Sequence, residues 1–140
     1  RPEIGNGIWI REGSDVTLIA NGAMLGRAMK AAELLAEKSI SAGVLEIHTL
    51  KPLDIDAICL AAERSGAIVT AEEHTIIGGL GGAVAETLAV HYPVPLERVG
   101  VSDCFPVTSK GADLLMDYMG LRVTDIVEAA EKALRRKERS

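Results

Sequence analysis

The first candidate for chemistry is a carboxylate–imidazole group in the middle of the chain. Glu72, Glu73 and His74 come directly after the apolar segment 67–71. A carboxylate beside an imidazole can act as an acid–base pair. The sequence places no obvious nucleophile or orienting group next to these residues. We therefore interpret the group first as a structural network or a subunit contact.

A glycine-rich segment follows and is the second candidate. Gly78, Gly79, Gly81 and Gly82 lie between a predicted strand and a predicted helix. Such a turn lets backbone N–H groups approach an anion at the helix N-terminus. The segment completes neither the dinucleotide-binding fingerprint, because Val84 occupies the third glycine position, nor a P-loop. Close helix–sheet packing is the favoured interpretation. The alternative is a small-anion or nucleotide-binding regulatory module that uses the loop 78–82.

The cysteines and histidines predict no metal site, because the sequence contains neither Cys-x-x-Cys nor His-x-x-x-His. Cys59 falls on the apolar face of a predicted helix and is interpreted as a small core residue. Cys104 lies beside Asp103, which is an unfavourable setting for a reactive thiolate. Two cysteines make no disulfide framework, so we expect a reducing, cytoplasmic environment.

Composition limits the classes of partner. The 140 residues are 48% hydrophobic and carry a net charge of −5, which is typical of one folded domain and unfavourable for binding nucleic acid or an anionic membrane. The chain has no apolar run of transmembrane length. Arg135, Arg136 and Lys137 match the dipole of a final helix, and we interpret them as a solvated helix end.

The elements that position these groups alternate along the chain. Short apolar runs predict five strands, at 7–11, 16–20, 44–48, 67–71 and 96–101. Three- and four-residue spacing predicts helices between them, at 25–36, at 55–65 after an Asp54 cap, and at 83–91. Beyond the last strand we predict a short helix at 112–119, ended by Gly120, and a final helix capped by Thr124. The pattern predicts a three-layer α/β/α fold with a five-stranded, mostly parallel sheet and one antiparallel edge strand.

Several spaced motifs resemble one family. They are 15–22 (DVTLIANG), 48–54 (HTLKPLD), and 72–74 (EEH) followed by 78–86 (GGLGGAVAE). In this order, and over nearly the whole chain, they resemble the C-terminal domain of transketolase. The Glu-Glu-His form is more similar to transketolase than to the deoxyxylulose-phosphate synthases or to the β-subunits of 2-oxo acid dehydrogenases. The Lys-Pro-Leu-Asp element is shared by all three groups.

The resemblance implies the context of a larger enzyme. Transketolases transfer a two-carbon ketol unit between sugar phosphates with thiamine diphosphate and Mg²⁺, which bind between two preceding domains at a dimer interface. It therefore implies no cofactor-binding or catalytic residue in this chain, which serves structure and assembly and is not catalytic alone. The expected partners are preceding pyrimidine- and diphosphate-binding domains or a separate subunit, and a second copy in the parent dimer.

The resemblance also assigns segments and residues. Residues 1–12 are expected to form a junction plus an edge strand, and residues 13–140 the C-terminal-like domain. Arg1 resembles a junction arginine that binds the sugar phosphate, a role suited to its planar guanidinium. For Glu72, Glu73, His74 and the glycine loop the resemblance implies structure and association. The equivalent domain of a deoxyxylulose-phosphate synthase or of a 2-oxo acid dehydrogenase β-subunit remains an alternative.

Overall fold

The fold is described from a computed structural model, over residues 7–48, 50–73, 79–101 and 111–139, without the side chains of 23, 73, 101 and 111–122. Its five strands are β1 (Ile8–Arg11), β2 (Val16–Ala20), β3 (Ala42–Glu46), β4 (Ile68–Glu73) and β5 (Leu96–Val101). Its four helices are α1 (Gly22–Glu37), α2 (Ile55–Ser65), α3 (Leu80–His91) and α4 (Gly111–Glu138).

The strands form one sheet in the order β1-β3-β2-β4-β5. The β2–β3, β2–β4 and β4–β5 pairs are parallel, and β1 pairs with β3 in the antiparallel direction. The predicted sheet is thus confirmed. Strand β3 begins two residues before its predicted start, because Gly43, which reads as a breaker, pairs directly with Thr17.

Both faces of the sheet are covered. On one face, α1 and α4 pack over alternate residues of the central strands, such as Leu18, Val44 and Val69. On the other face, α2 and α3 pack over the intervening residues, such as Ile19 and Leu45. All five residues of β2 are buried, which explains why its sequence shows no alternation of polar and apolar residues.

The two ends of α2 confirm the sequence prediction. The Asp54 Oδ1 atom accepts a hydrogen bond of 3.0 Å from the Ala57 backbone N–H, as an N-cap does. At the other end, Gly66 has φ +70° and φ/ψ values of the left-handed region, which a residue with a Cβ adopts only at a cost.

The C-terminal helix corrects the sequence prediction. We predict two helices separated at Gly120 and restarted at Thr124, whereas α4 is one helix of 28 residues. A glycine costs a helix interior only about 1 kcal/mol, and no proline interrupts this segment. No helix among the described residues is both long and apolar enough to span a membrane.

The basic end of α4 binds the body of the domain and is more than a solvated helix end. The Arg136 guanidinium donates to the Leu96 carbonyl at 2.7 Å and to a carboxylate oxygen of Glu97 at 2.6 Å. The Lys137 ammonium donates to the Ser65 carbonyl at 2.6 Å and to the Asp15 carbonyl at 3.2 Å. These bonds fasten α4 to the amino end of the sheet and to the end of α2.

A close backbone approach fixes the turn between β1 and β2. A Cβ added at Gly13 would lie 2.1 Å from the backbone nitrogen of Gly43, a distance that no side chain tolerates. A Cβ at Gly26 of α1, by contrast, meets no atom within 4 Å in the described part of the chain.

We expect Gly13→Ala to lower the free energy of unfolding by about 2–3 kcal/mol, because overpacking against backbone forces β1 and β3 apart. The matched variant Gly26→Ala should raise it by about 0.5–1 kcal/mol, since alanine loses less entropy in a helix. Urea unfolding of both variants measures the difference. Equal stability of the two variants would contradict the close approach.

Candidate functional site

Glu72 organises the carboxyl end of β4, where ligands of open α/β sheets usually bind. Its side chain is buried, with 6% of the residue exposed. One carboxylate oxygen accepts from the Leu80 N–H at 3.0 Å, and the other accepts from the Gly81 N–H at 2.5 Å. Glu72 therefore caps the N-terminus of α3 and joins this helix to the strand that precedes it.

This cap is electrostatically favourable. The first N–H groups of a helix have no partner within the helix, and the helix dipole favours a negative charge beside them. The Glu72 carboxylate supplies that charge and satisfies two of these donors. An external anion would have to displace it to bind the same two amides. The anion-binding alternative for the loop 78–82 therefore implies a competition with Glu72, and it stays a prediction.

The two glycines at the start of α3 differ in their surroundings. A Cβ added at Gly81 would lie 2.5 Å from the Arg98 Nε atom and 2.6 Å from a Glu72 carboxylate oxygen. A Cβ added at Gly82 meets no atom of the described residues within 4 Å. Gly81 therefore allows the close approach of the helix to Glu72 and Arg98, whereas the described residues give no steric reason for Gly82.

The remaining predicted site residues are only partly described. Gly79 occupies the N-cap position of α3, where its carbonyl accepts from the Ala83 N–H at 3.0 Å. Glu73 ends β4, and its side chain lies outside the described part, as do Arg1, His74 and Gly78.

Cys59 is half-buried, so its interpretation as a core residue is only partly right. Burial raises the pKa of its thiol, and the neighbouring Asp56 carboxylate adds to this effect. The raised pKa disfavours the reactive thiolate.

Arg98 is the site residue that the sequence analysis missed. It pairs with Thr70 across the β4–β5 ladder, and its guanidinium reaches the start of α3 beside Glu72. The available signal was a pair of charged residues, Glu97 and Arg98, inside a predicted strand.

Within the described ranges, no three His, Cys, Asp or Glu side chains come together as a metal site would require. The described residues therefore offer no ligand cluster that fits Mg²⁺.

The first prediction from this geometry concerns the Glu72 cap. Glu72→Gln places an amide donor against one of the two helix N–H groups, so we expect the free energy of unfolding to fall by about 1.5–3 kcal/mol. Glu86→Gln, on the exposed side of the same helix, should change it by less than about 0.5 kcal/mol. Chemical denaturation of both variants tests this expectation. A Glu72→Gln protein as stable as Glu86→Gln would disprove the cap.

A second prediction separates the two glycines. Gly81→Ala should destabilise the domain by about 1–3 kcal/mol, because the new methyl group pushes against the hydrogen-bonded Glu72 carboxylate. Gly82→Ala should be neutral or stabilising by up to about 1 kcal/mol. Thermal unfolding of the pair is the measurement. If Gly82→Ala were the more damaging change, the packing assigned to Gly81 would be wrong.

Comparison with known proteins places the chain in a family. The model of the transketolase C-terminal domain matches residues 5–136. A 6-deoxy-6-sulfo-D-fructose transketolase subunit from Clostridium sp. (strain MSTE9) is 47% identical over 134 residues, which are 96% of this chain and 41% of that subunit. A 1-deoxy-D-xylulose-5-phosphate synthase from Desulforudis audaxviator is 41% identical over 97% of this chain and 22% of its own.

A solved structure agrees with these sequence matches. A split-gene transketolase, solved as an inactive tetramer designated beta4 (unrelated to strand β4), superposes with a TM-score of 0.84 at 46% identity. The superposition covers 98% of this chain and 45% of the other. The chain thus spans less than half the length of these relatives. The matched residues, the sheet order and the superposition agree, and the chain belongs to the transketolase family as its C-terminal domain.

Proposed function

We propose that this chain is the structural and assembly domain of a thiamine diphosphate-dependent enzyme that transfers a two-carbon ketol unit between sugar phosphates. One observation carries the proposal. The chain is 47% identical to a transketolase subunit over 96% of its own length, yet it spans only 41% of that subunit. The remaining length of such a subunit is available for the cofactor and the substrate.

The described residues support a positioning role. The best candidate for an acid–base group, Glu72, has both carboxylate oxygens bound to the start of α3. Thiamine diphosphate supplies the reactive carbon of such transfers, and it would be held with Mg²⁺ by regions outside this domain. The contribution of this chain is then to hold those regions in place.

Partner chains follow from the same comparison. The split-gene relative forms an inactive beta4 tetramer. This supports the interpretation that such a subunit needs a second type of chain for activity. We propose that this chain works with a preceding region or subunit that binds the pyrimidine and diphosphate groups, and that the parent enzyme is a homodimer of such units. Glu72, Glu73, His74 and the glycines 78–82 are proposed to contribute to association, and Arg1 to bind a substrate phosphate.

The assay that tests the proposal compares the chain alone with the completed enzyme. The 140-residue chain, given thiamine diphosphate, Mg²⁺, a ketose phosphate donor and an aldose phosphate acceptor, should show no turnover above background. Joining it to the rest of its enzyme should restore turnover. The other regions without this chain are the matched control. Turnover by the chain alone, or full turnover by the control, would contradict the proposal.

Donor choice separates ketol transfer from the related synthase reaction. A transketolase uses a ketose phosphate donor, whereas a deoxyxylulose-phosphate synthase condenses pyruvate with an aldose phosphate and releases CO₂. We expect the completed enzyme to accept the ketose phosphate and to release no CO₂ from pyruvate. The opposite result would assign the chain to the synthase branch.

A further inference from the structure

The edge strand β1 is the least supported strand of the described sheet. It has four residues, its one partner among the described strands is β3, and its register shifts between Trp9 and Arg11. An edge strand this short contributes few ladder hydrogen bonds of its own. Contacts from outside the sheet must therefore hold it in place.

Asp54 provides the contact at the start of β1. One oxygen of its carboxylate caps α2 through the Ala57 N–H, and the other accepts from the Gly7 N–H at 2.7 Å. Gly7 is also packed closely, since an added Cβ would lie 3.1 Å from the Leu45 side chain. One carboxylate thus joins the residue before β1 to the first turn of α2.

Arg64 contacts Trp9 within β1 and Glu12 just after it. Its guanidinium carbon lies 5.5 Å from the centre of the Trp9 ring, within the range of a cation–π contact. The same guanidinium donates to a carboxylate oxygen of Glu12 at 2.8 Å. Arg64 lies in the last turn of α2, at the opposite end from Asp54.

The helix and the extended segment that lie between these two contact points have similar lengths. Ten helical residues from Asp54 to Arg64 span about 15 Å. Five extended residues from Gly7 to Glu12 span about 17 Å. The residue before α2 and the last turn of α2 therefore contact this segment at two separated points, at Gly7 and at Trp9 and Glu12.

We propose that α2 acts as a two-point clasp on β1, through Asp54 and Arg64, and that β1 opens as a unit separate from the four parallel strands. The clasp fixes the position of Gly7 and of the strand that follows it. Where the proposed function holds, and a preceding region carries the cofactor, Asp54 and Arg64 are positioning residues for that region. The opening of β1 itself does not depend on that function.

The chain carries its own probe, since Trp9 is its single tryptophan. Asp54→Asn keeps a good N-cap for α2 but loses the acceptor for Gly7, because an amide presents only one oxygen. Arg64→Met removes the guanidinium from Trp9 and Glu12 while it keeps a long side chain. The matched control is Lys38→Met, which breaks a 3.0 Å ion pair with Glu131 away from β1.

Acrylamide quenching of Trp9 fluorescence and amide hydrogen exchange of the 140-residue chain measure the opening. In the Asp54→Asn/Arg64→Met protein we expect red-shifted emission, a roughly twofold or larger rise in quenching, and about tenfold faster exchange in β1 than in wild type. Exchange in β2 and β4 should change little, and Lys38→Met should leave Trp9 unchanged.

Two results would overturn the clasp. One is Trp9 quenching in the double variant that equals that of wild type, and the other is an equal acceleration of amide exchange in β1, β2 and β4. Because these measurements need no turnover, they separate a failure of the clasp from a failure of the proposed ketol transfer.

Discussion

Burial of the sheet on both faces is the constraint on which the other features of this domain depend. Strands β2, β3 and β4 present apolar side chains to helices on either side, so polar groups find partners chiefly at the ends of the strands. At the carboxyl end, Glu72 binds the start of α3. At the amino end, Lys137 binds the carbonyls of Asp15 and Ser65. These polar contacts therefore lie at the two ends of the strands, and the centre of the domain consists mainly of packed apolar side chains.

The two carboxylate caps show how far the sequence can be interpreted. Asp54 precedes its helix directly and bonds three residues ahead, so the local pattern predicts it. Glu72 bonds eight and nine residues ahead, across a turn, and local spacing gives no signal for such a partner. The second hydrogen bond of Asp54, to Gly7 forty-seven residues away, also had no local sequence signal, because the two residues meet only after the sheet has formed.

The buried strands were predictable because doubly covered parallel strands appear as uninterrupted apolar runs. Their order in the sheet was not predicted, because apolar runs do not show which strands are neighbours. The helical stretch after β5 was not predictable either. Gly120 and Thr124 resemble a stop and a start, but local preferences of this size yield to a long helix that packs Ile126, Ala130 and Ala133 into the core. The basic end of this helix was recognised as a helix end, while its bonds to Leu96, Glu97 and Ser65 required the tertiary fold.

The contact between Arg136 and the Leu96 carbonyl has a consequence for how copies of the domain behave at high concentration. Strand β5 ends the described sheet, and a bare carbonyl in an edge strand is an acceptor for the backbone of another chain. Arg136 occupies that acceptor and places a positive charge beside it. The positions around it on α4 and β5, Lys132 and Glu97, are charged as well. Strand-by-strand growth into fibrils, the characteristic hazard of open sheets, therefore meets a charged barrier at this edge.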